Sequence, residues 1–349
     1  MPLKDLLGIE LPVVQAPMAG AQFFEMAAAA SNAGGLGSLP CALLSAAQQR
    51  EQLARLKQAT SKPFNLNFFC HTPPAPDAVR EAAWKALLRP YFIELGLDPA
   101  VEAPAAQRLP FDEAACALVE AEKPAVVSFH FGLPTPGLLA RVKAAGVKVM
   151  ASATTVAEAR WLAERGVDAV IAQGAEAGGH RGIFLSDDIS TQIGLFALLP
   201  QIVAAVDVPV IAAGGIAEQS AVRAAMKLGA AGVQVGTAYL YTPEARISAA
   251  YRAALQSDAA ETTALTNLFS GRPARGIVNR AMRELGPINA AAPAFPLAGG
   301  ALAPLRAASE AKGSGDFSSM WSGQAAALAR RDLNTACLTR WLGEATSQT

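Results

Sequence analysis

The chain has little of what marks a secreted, metal-binding or nucleic-acid-binding protein. Cys41, Cys70, Cys116 and Cys337 are its only cysteines, and no two stand in a C-x-x-C pair, which excludes a disulfide framework and the common zinc spacings. Charge of one sign is lacking too. The 29 basic residues balance 29 acidic ones, so no bulk field draws the chain to nucleic acid or to an anionic membrane, and any anion must be bound locally. No apolar run reaches the roughly 18 to 20 residues of a membrane span, because Asn32, Arg160 and Arg223 interrupt the Ala-rich stretches. Residues 1–10 have neither a basic start nor an apolar h-region, and a cytoplasmic location is the expectation. Aromatics make up 6% of the chain, and His71, His130 and His180 are its only histidines.

What is present is a large apolar fraction, 52% over 349 residues, enough to bury one large core. The length suits an α/β barrel carrying an insertion and a C-terminal extension. Short β-branched runs recur at Val13–Ala16, Leu36–Ser38, Phe64–Phe68, Val126–Phe129, Lys148–Met150, Ala169–Ala172, Val210–Ala212 and Gly232–Val235. Between them lie helical patterns such as Thr155–Arg165, Leu195–Val206 and Glu218–Leu228, the sequence form of successive βα units. Eight such units predict a (β/α)₈ TIM barrel over residues 1–243. The competing open doubly wound sheet needs G-x-G-x-x-G after its first strand, where this chain has Pro17-Met18-Ala19-Gly20.

The Pro-rich stretch from about His71 to Ala121 predicts a helical insertion after strand three that could cover the site. Residues 244–349 predict an all-helical extension contributing to the site, with helices near Glu244–Gln256, Glu261–Phe269, Leu302–Ala311 and Ser318–Ala329.

In a barrel the residues just past each strand form the active face. Strand six runs into Gln173-Gly174-Ala175-Glu176-Ala177-Gly178-Gly179-His180-Arg181-Gly182, whose glycines let backbone approach a flat or anionic ligand. A merely tight turn would not need the polar residues among them. Strands seven and eight end in Ala213-Gly214-Gly215 and Gln234-Val235-Gly236-Thr237, neighbouring loops that can ligate one phosphate through backbone amides. Either glycine pair alone would fit close helix–strand packing.

All three histidines follow predicted strands. A three-histidine metal site is the competing reading, but no carboxylate spacing supports it, so no metal is expected. His180 is the candidate acid–base group, since an imidazole can take a proton from a carbon beside an electron-withdrawing group. Asn65 and Asn67 share one face of strand three; Asn67, nearer the mouth, is the cofactor candidate, and Asn65 reads as a core amide. Lys312 is a candidate anion contact, against the usual role of an isolated lysine as a solvated surface charge.

These motifs together resemble the class I nitronate monooxygenases, formerly called 2-nitropropane dioxygenases. The resemblance runs end to end, through Gln15–Gly20, Phe64–Asn67, Ser128-Phe129-His130-Phe131-Gly132-Leu133-Pro134, Gln173–Gly182 and Asp316–Gln324. The Gly-rich His motif is shared with FMN-dependent enoyl-carrier-protein reductases, whereas Ser128–Pro134 looks like the monooxygenases. The resemblance implies FMN held by Met18, Asn67, Gln173, Gly178, Gly179, Gly215, Gln234, Val235, Gly236 and Thr237, with Gln324 closing from the extension. It further implies His180 as the base, and His130 and Lys312 beside an anionic nitronate such as propionate 3-nitronate. Partners would be small molecules, a nitronate or nitroalkane and O₂, with both a monomer and a homodimer left open. Two alternatives stand beside this reading: an FMN-dependent NAD(P)H reductase of quinones or enoyl thioesters, and a non-catalytic flavin-binding barrel.

Overall fold

The computed structural model describes residues 2–101 and 108–346. Its strands, in chain order, are β1 Val13–Gln15, β2 Gly37–Pro40, β3 Phe64–Phe69, β4 Val126–His130, β5 Lys148–Ala153, β6 Ala169–Gln173, β7 Gly179–His180, β8 Val210–Ala213, β9 Gly232–Val235, β10 Thr263–Thr266 and β11 Ala274–Ile277. Eight of these pair in parallel in the order β1-β9-β8-β6-β5-β4-β3-β2. A bridge between Val14 and Leu36 joins the two ends, so the sheet closes into the expected barrel.

The period-two pattern of each strand decides what the barrel holds. Along β4, Val127 and Phe129 pack outward into the helix-facing core, whereas Val126 joins an apolar plug that also contains Leu3, Leu7, Met150 and Ile171. Ser128 and His130, on the same inner face as Val126, rise from that plug to line a cavity at the strand C-termini. β3 repeats the rule: Leu66 and Phe68 face the helices, while Asn65, Asn67 and Phe69 face inward. Asn65 is fully buried and donates to Ser38 Oγ (3.0 Å) and Ser128 Oγ (2.8 Å), so it builds the floor beneath the cavity.

Helix starts are fixed locally. Ser45 and Gln48 form a reciprocal cap on Ala46–Ala59, and Asp112 and Asn334 accept from the third residue of Glu113–Glu122 and Thr335–Glu344. Two of these helices change the expected boundaries. Glu113–Glu122 packs against the helix Pro136–Ala144 and is the barrel's own third helix, so the insertion ends near Asp112; its residues 102–107 lie outside the described residues. Thr335–Glu344 packs against β1 and the helices Phe24–Asn32 and Gln219–Lys227, and so supplies the barrel's eighth helix. The extension is therefore an excursion between β9 and that helix.

The excursion is not all-helical. Residues predicted as helix at Glu261–Phe269 contain β10, where the run Thr262-Thr263-Ala264-Leu265-Thr266 favours extended backbone, and β10 pairs with β11. Ser318–Ala329 likewise is irregular apart from the short 3₁₀ turn Ala326–Leu328. The insertion helix Ala78–Leu95 and the excursion helix Ala298–Ala311 share a second core with Trp84, Leu88, Leu302, Leu305 and Phe317. Trp84 Nε1 donates to the Ala298 carbonyl at 3.1 Å within it. Among the described residues, no helix is long and apolar enough to cross a membrane.

Candidate active site

The loop after β6 is held open by one buried cation. Arg181, with no exposed surface, donates to the Gly174 carbonyl (2.6 Å), the Gln173 carbonyl (2.7 Å) and Gln192 Oε1 (2.9 Å). Gln173 then spans the loop, accepting from Gly182 N at 2.8 Å and donating to the His180 carbonyl at 3.0 Å. β7 carries Gly179 and His180 into antiparallel pairing with β11, opposite Arg275 and Ala274. The imidazole thus sits on a short sheet instead of a free loop.

That sheet also sets the proton. The Ser270 hydroxyl lies 3.2 Å from the Arg272 carbonyl and 2.9 Å from His180 Nε2, and when it donates to the carbonyl its oxygen receives Nε2–H and Nδ1 is the bare nitrogen. Among the described residues, Nδ1 of His180 has no hydrogen-bond partner. Burial first, then the positive charges of Arg108 and Arg272, hold the His180 pKa well below the ordinary histidine value, so the ring is neutral at neutral pH. Phe69, Phe131, Phe295 and Trp321 wall it in, with ring centroids 5.4 to 6.2 Å away.

His130 is neutral too. Its Nε2 faces the His180 carbonyl at 3.2 Å, and a carbonyl only accepts, so Nδ1 accepts from Ser152 at 3.1 Å. Burial lowers its pKa to about 4. Both its nitrogens are committed to protein, and it steadies the backbone of His180. His71 is buried among Phe69, Phe131 and Phe295, with neither ring nitrogen hydrogen-bonded.

Burial, followed by the charge of Arg272, pushes the His71 pKa from 6.5 to about 4. A folded pKa below the unfolded one gives a stability contribution that is whole above pH 6.5 and lost as pH falls toward 4. His71→Phe, which suits the aromatic surroundings, is expected to flatten the melting temperature against pH over that window, gaining about 2 °C or more at pH 5 relative to the parent. Parallel melting curves for both proteins would contradict it.

A cavity of about 590 Å³ opens at the strand C-termini. Met18, Asn67, Gln173, Gly178, Gly179, Gly214, Gly215, Gln234, Gly236, Thr237, His130 and His180 all line it. Val235 is buried on the helix side, and Gln324 is exposed, reaching the site only through its amide, which donates to the Glu176 carbonyl at 3.0 Å. Lys312 is exposed at the end of Ala298–Ala311 and is not among the lining residues. The arginines that do line it are Arg108, Arg246 and Arg306, which sequence patterning did not single out, and Arg108 is the one whose charge acts on His180. Ser270 and Phe295 escaped it as well.

A model of the nitronate monooxygenase family matches residues 1–340. The chain belongs to the nitronate monooxygenase family. It is 44% identical over 347 residues to a nitronate monooxygenase of Pseudomonas aeruginosa, covering 97% of each chain. A second, from Paraburkholderia phytofirmans, is 43% identical over 94% of this chain and 90% of its own. Among solved structures, nitroalkane oxidase from Streptomyces ansochromogenes superposes with a TM-score of 0.89 at 37% identity, covering 99% and 98% of the two chains. FabK from Thermotoga maritima gives a TM-score of 0.74 at 26% identity, over 99% and 96%.

In this family member the glycine-rich mouths are shaped for a ligand. Among the described residues, the amides of Gly215 and Gly236 donate to no protein acceptor, and Gln234 Oε1 is buried without a partner. Gly215, at φ 69°, presents its amide in a conformation that side-chain-bearing residues rarely adopt. Such groups are costly to bury empty-handed, and they match a ligand with an anionic end and a donor-bearing ring.

Proposed function

We propose that the chain is an FMN-dependent enzyme that oxidises alkyl nitronates, propionate 3-nitronate among them, and neutral nitroalkanes with O₂, releasing nitrite. The observation that carries this reading is a neutral imidazole with an open Nδ1, set in the same cavity as the unpaired amides of Gly215 and Gly236. Those amides, with Thr237, would hold the FMN phosphate, while Met18, Asn67, Gly178, Gly179 and Gln234 would flank the ring system. Bound there, the flavin supplies the redox chemistry with O₂.

The chain's own residues do the rest. His180 Nδ1 takes the α proton of a neutral nitroalkane, and Ser270 fixes the ring so that this nitrogen stays free. The aromatic wall of Phe69, Phe131, Phe295 and Trp321 limits water beside it. His130 and Gln173 fix the backbone from which His180 projects.

Purified protein should be yellow, release a cofactor with the mass of FMN, and couple O₂ uptake to nitrite release with a nitronate. Colourless protein that takes up no FMN, or yellow protein that releases no nitrite, would end this reading. The likeness to FabK favours one second reading, an NAD(P)H-dependent reductase. Rapid anaerobic bleaching by NADH would support it.

A further inference from the structure

We propose that Arg108 and Arg306 form a second anion site in the cavity, which receives the carboxylate end of a substrate whose nitronate lies at His180. This rests on the nitronate reading above.

Arg108 comes from the insertion and Arg306 from the excursion helix Ala298–Ala311, and both line the cavity. Neither forms an ion pair among the described residues, which sets them apart from Arg141 and Arg280, each held by two carboxylates. The other buried arginines, Arg181 and Arg275, spend their donors on backbone carbonyls. Arg108 has no such use: its Nη1 is buried without a partner, and its guanidinium lies over the Phe295 ring at 5.4 Å.

Burial, then the charge of Arg306, lowers the Arg108 pKa to about 10, and both side chains line the same cavity. The cavity's own carboxylates are occupied elsewhere. Glu310, one turn beyond Arg306, accepts from Ser318 (2.7 Å) and Ser248 (3.3 Å), and Glu176 caps Leu195 N at 2.9 Å. An anion at Arg108 would compensate a desolvated, unpaired guanidinium, with the exposed Arg306 adding its charge from the cavity rim. Its distance from the reacting end is set by one ring, because Phe295 also contacts His180 at 5.4 Å. The ligand is therefore a nitronate bearing a carboxylate a few carbons away.

The test compares propionate 3-nitronate with 3-methylbutyl 1-nitronate, in which two methyl groups replace the carboxylate oxygens. Arg108→Met is expected to lower the kcat/KM ratio of the charged to the neutral substrate about 30-fold, and Arg306→Met, on an exposed helix face, about 10-fold. Succinate binding to the FMN-loaded enzyme, followed by calorimetry, should weaken in the same order. An unchanged ratio, an equal fall on both substrates, or succinate binding that persists in both variants would overturn the proposal. If the parent oxidises neither nitronate, the nitronate reading fails, and succinate binding alone then decides the arginine site.

Discussion

His180→Asn is expected to lower kcat/KM for nitroethane about 1000-fold while changing that for preformed ethyl nitronate less than about fivefold. Only the neutral substrate needs a proton removed, so only it should register the loss of Nδ1. A comparable fall on both would show that the ring holds the site together and does not act as a base. The pH profile gives a second check. Burial and the charges of Arg108 and Arg272 keep His180 unprotonated well below its ordinary range. The acid limb of nitroethane oxidation should therefore lie below pH 6.5, and a limb at or above that value would contradict the assigned environment. Steady-state nitrite release at each pH measures it. The depressed pKa also weakens the base, and a neutral nitrogen over the acidic range is gained at the expense of proton affinity.

The barrel was legible because its signal is local. β-branched runs and Ala/Leu helices alternate along the chain, and inward and outward residues follow from a period of two, as with Ser128 and Phe129. The glycine mouths at Gly178–Gly179, Gly214–Gly215 and Gly236 were legible for the same reason, since each directly follows a strand or lies in the loop after one. What escaped depends on long-range pairing. Nothing in Gly179-His180 announces two-residue pairing with Ala274 and Arg275, and without that pairing Ser270 has no visible link to an imidazole 90 positions earlier.

Arg108 and Lys312 illustrate the same limit in opposite directions. An arginine in a Pro-rich insertion and a lysine in a Gly-rich loop look alike in sequence, both as solvated charges. Arg108 becomes a cavity cation because the insertion packs on the excursion through Trp84, Leu88, Leu302 and Leu305. Lys312 stands at the exposed end of the same packed helix. Tertiary packing, which the sequence does not display, selects which of the two faces the cavity.

Gly178→Val should weaken FMN affinity about 100-fold or more, the consequence of overpacking against main chain. A Cβ at Gly178 would stand 2.5 Å from Gly323 N and 2.7 Å from the Ser322 carbonyl carbon, backbone atoms that cannot swing aside. The excursion segment Ser322–Gln324 would have to retreat, breaking the bonds from Gly323 N to Thr237 Oγ1 (2.9 Å) and from Gln324 N to the Glu176 carbonyl. In the proposed placement Thr237 would hold the phosphate, so displacement at one glycine would reach the far end of the cofactor. Gly179→Ala separates this from conformational strain: φ there is 74° but a Cβ meets nothing within 4 Å. The penalty is then only that of a left-handed residue, about 1 to 2 kcal/mol, or roughly tenfold in affinity. Flavin titration of the two variants, with far-ultraviolet circular dichroism to confirm an intact barrel, reads the order. If Gly179→Ala proved the more damaging, the contact between Gly178 and the excursion would not be what shapes the flavin site.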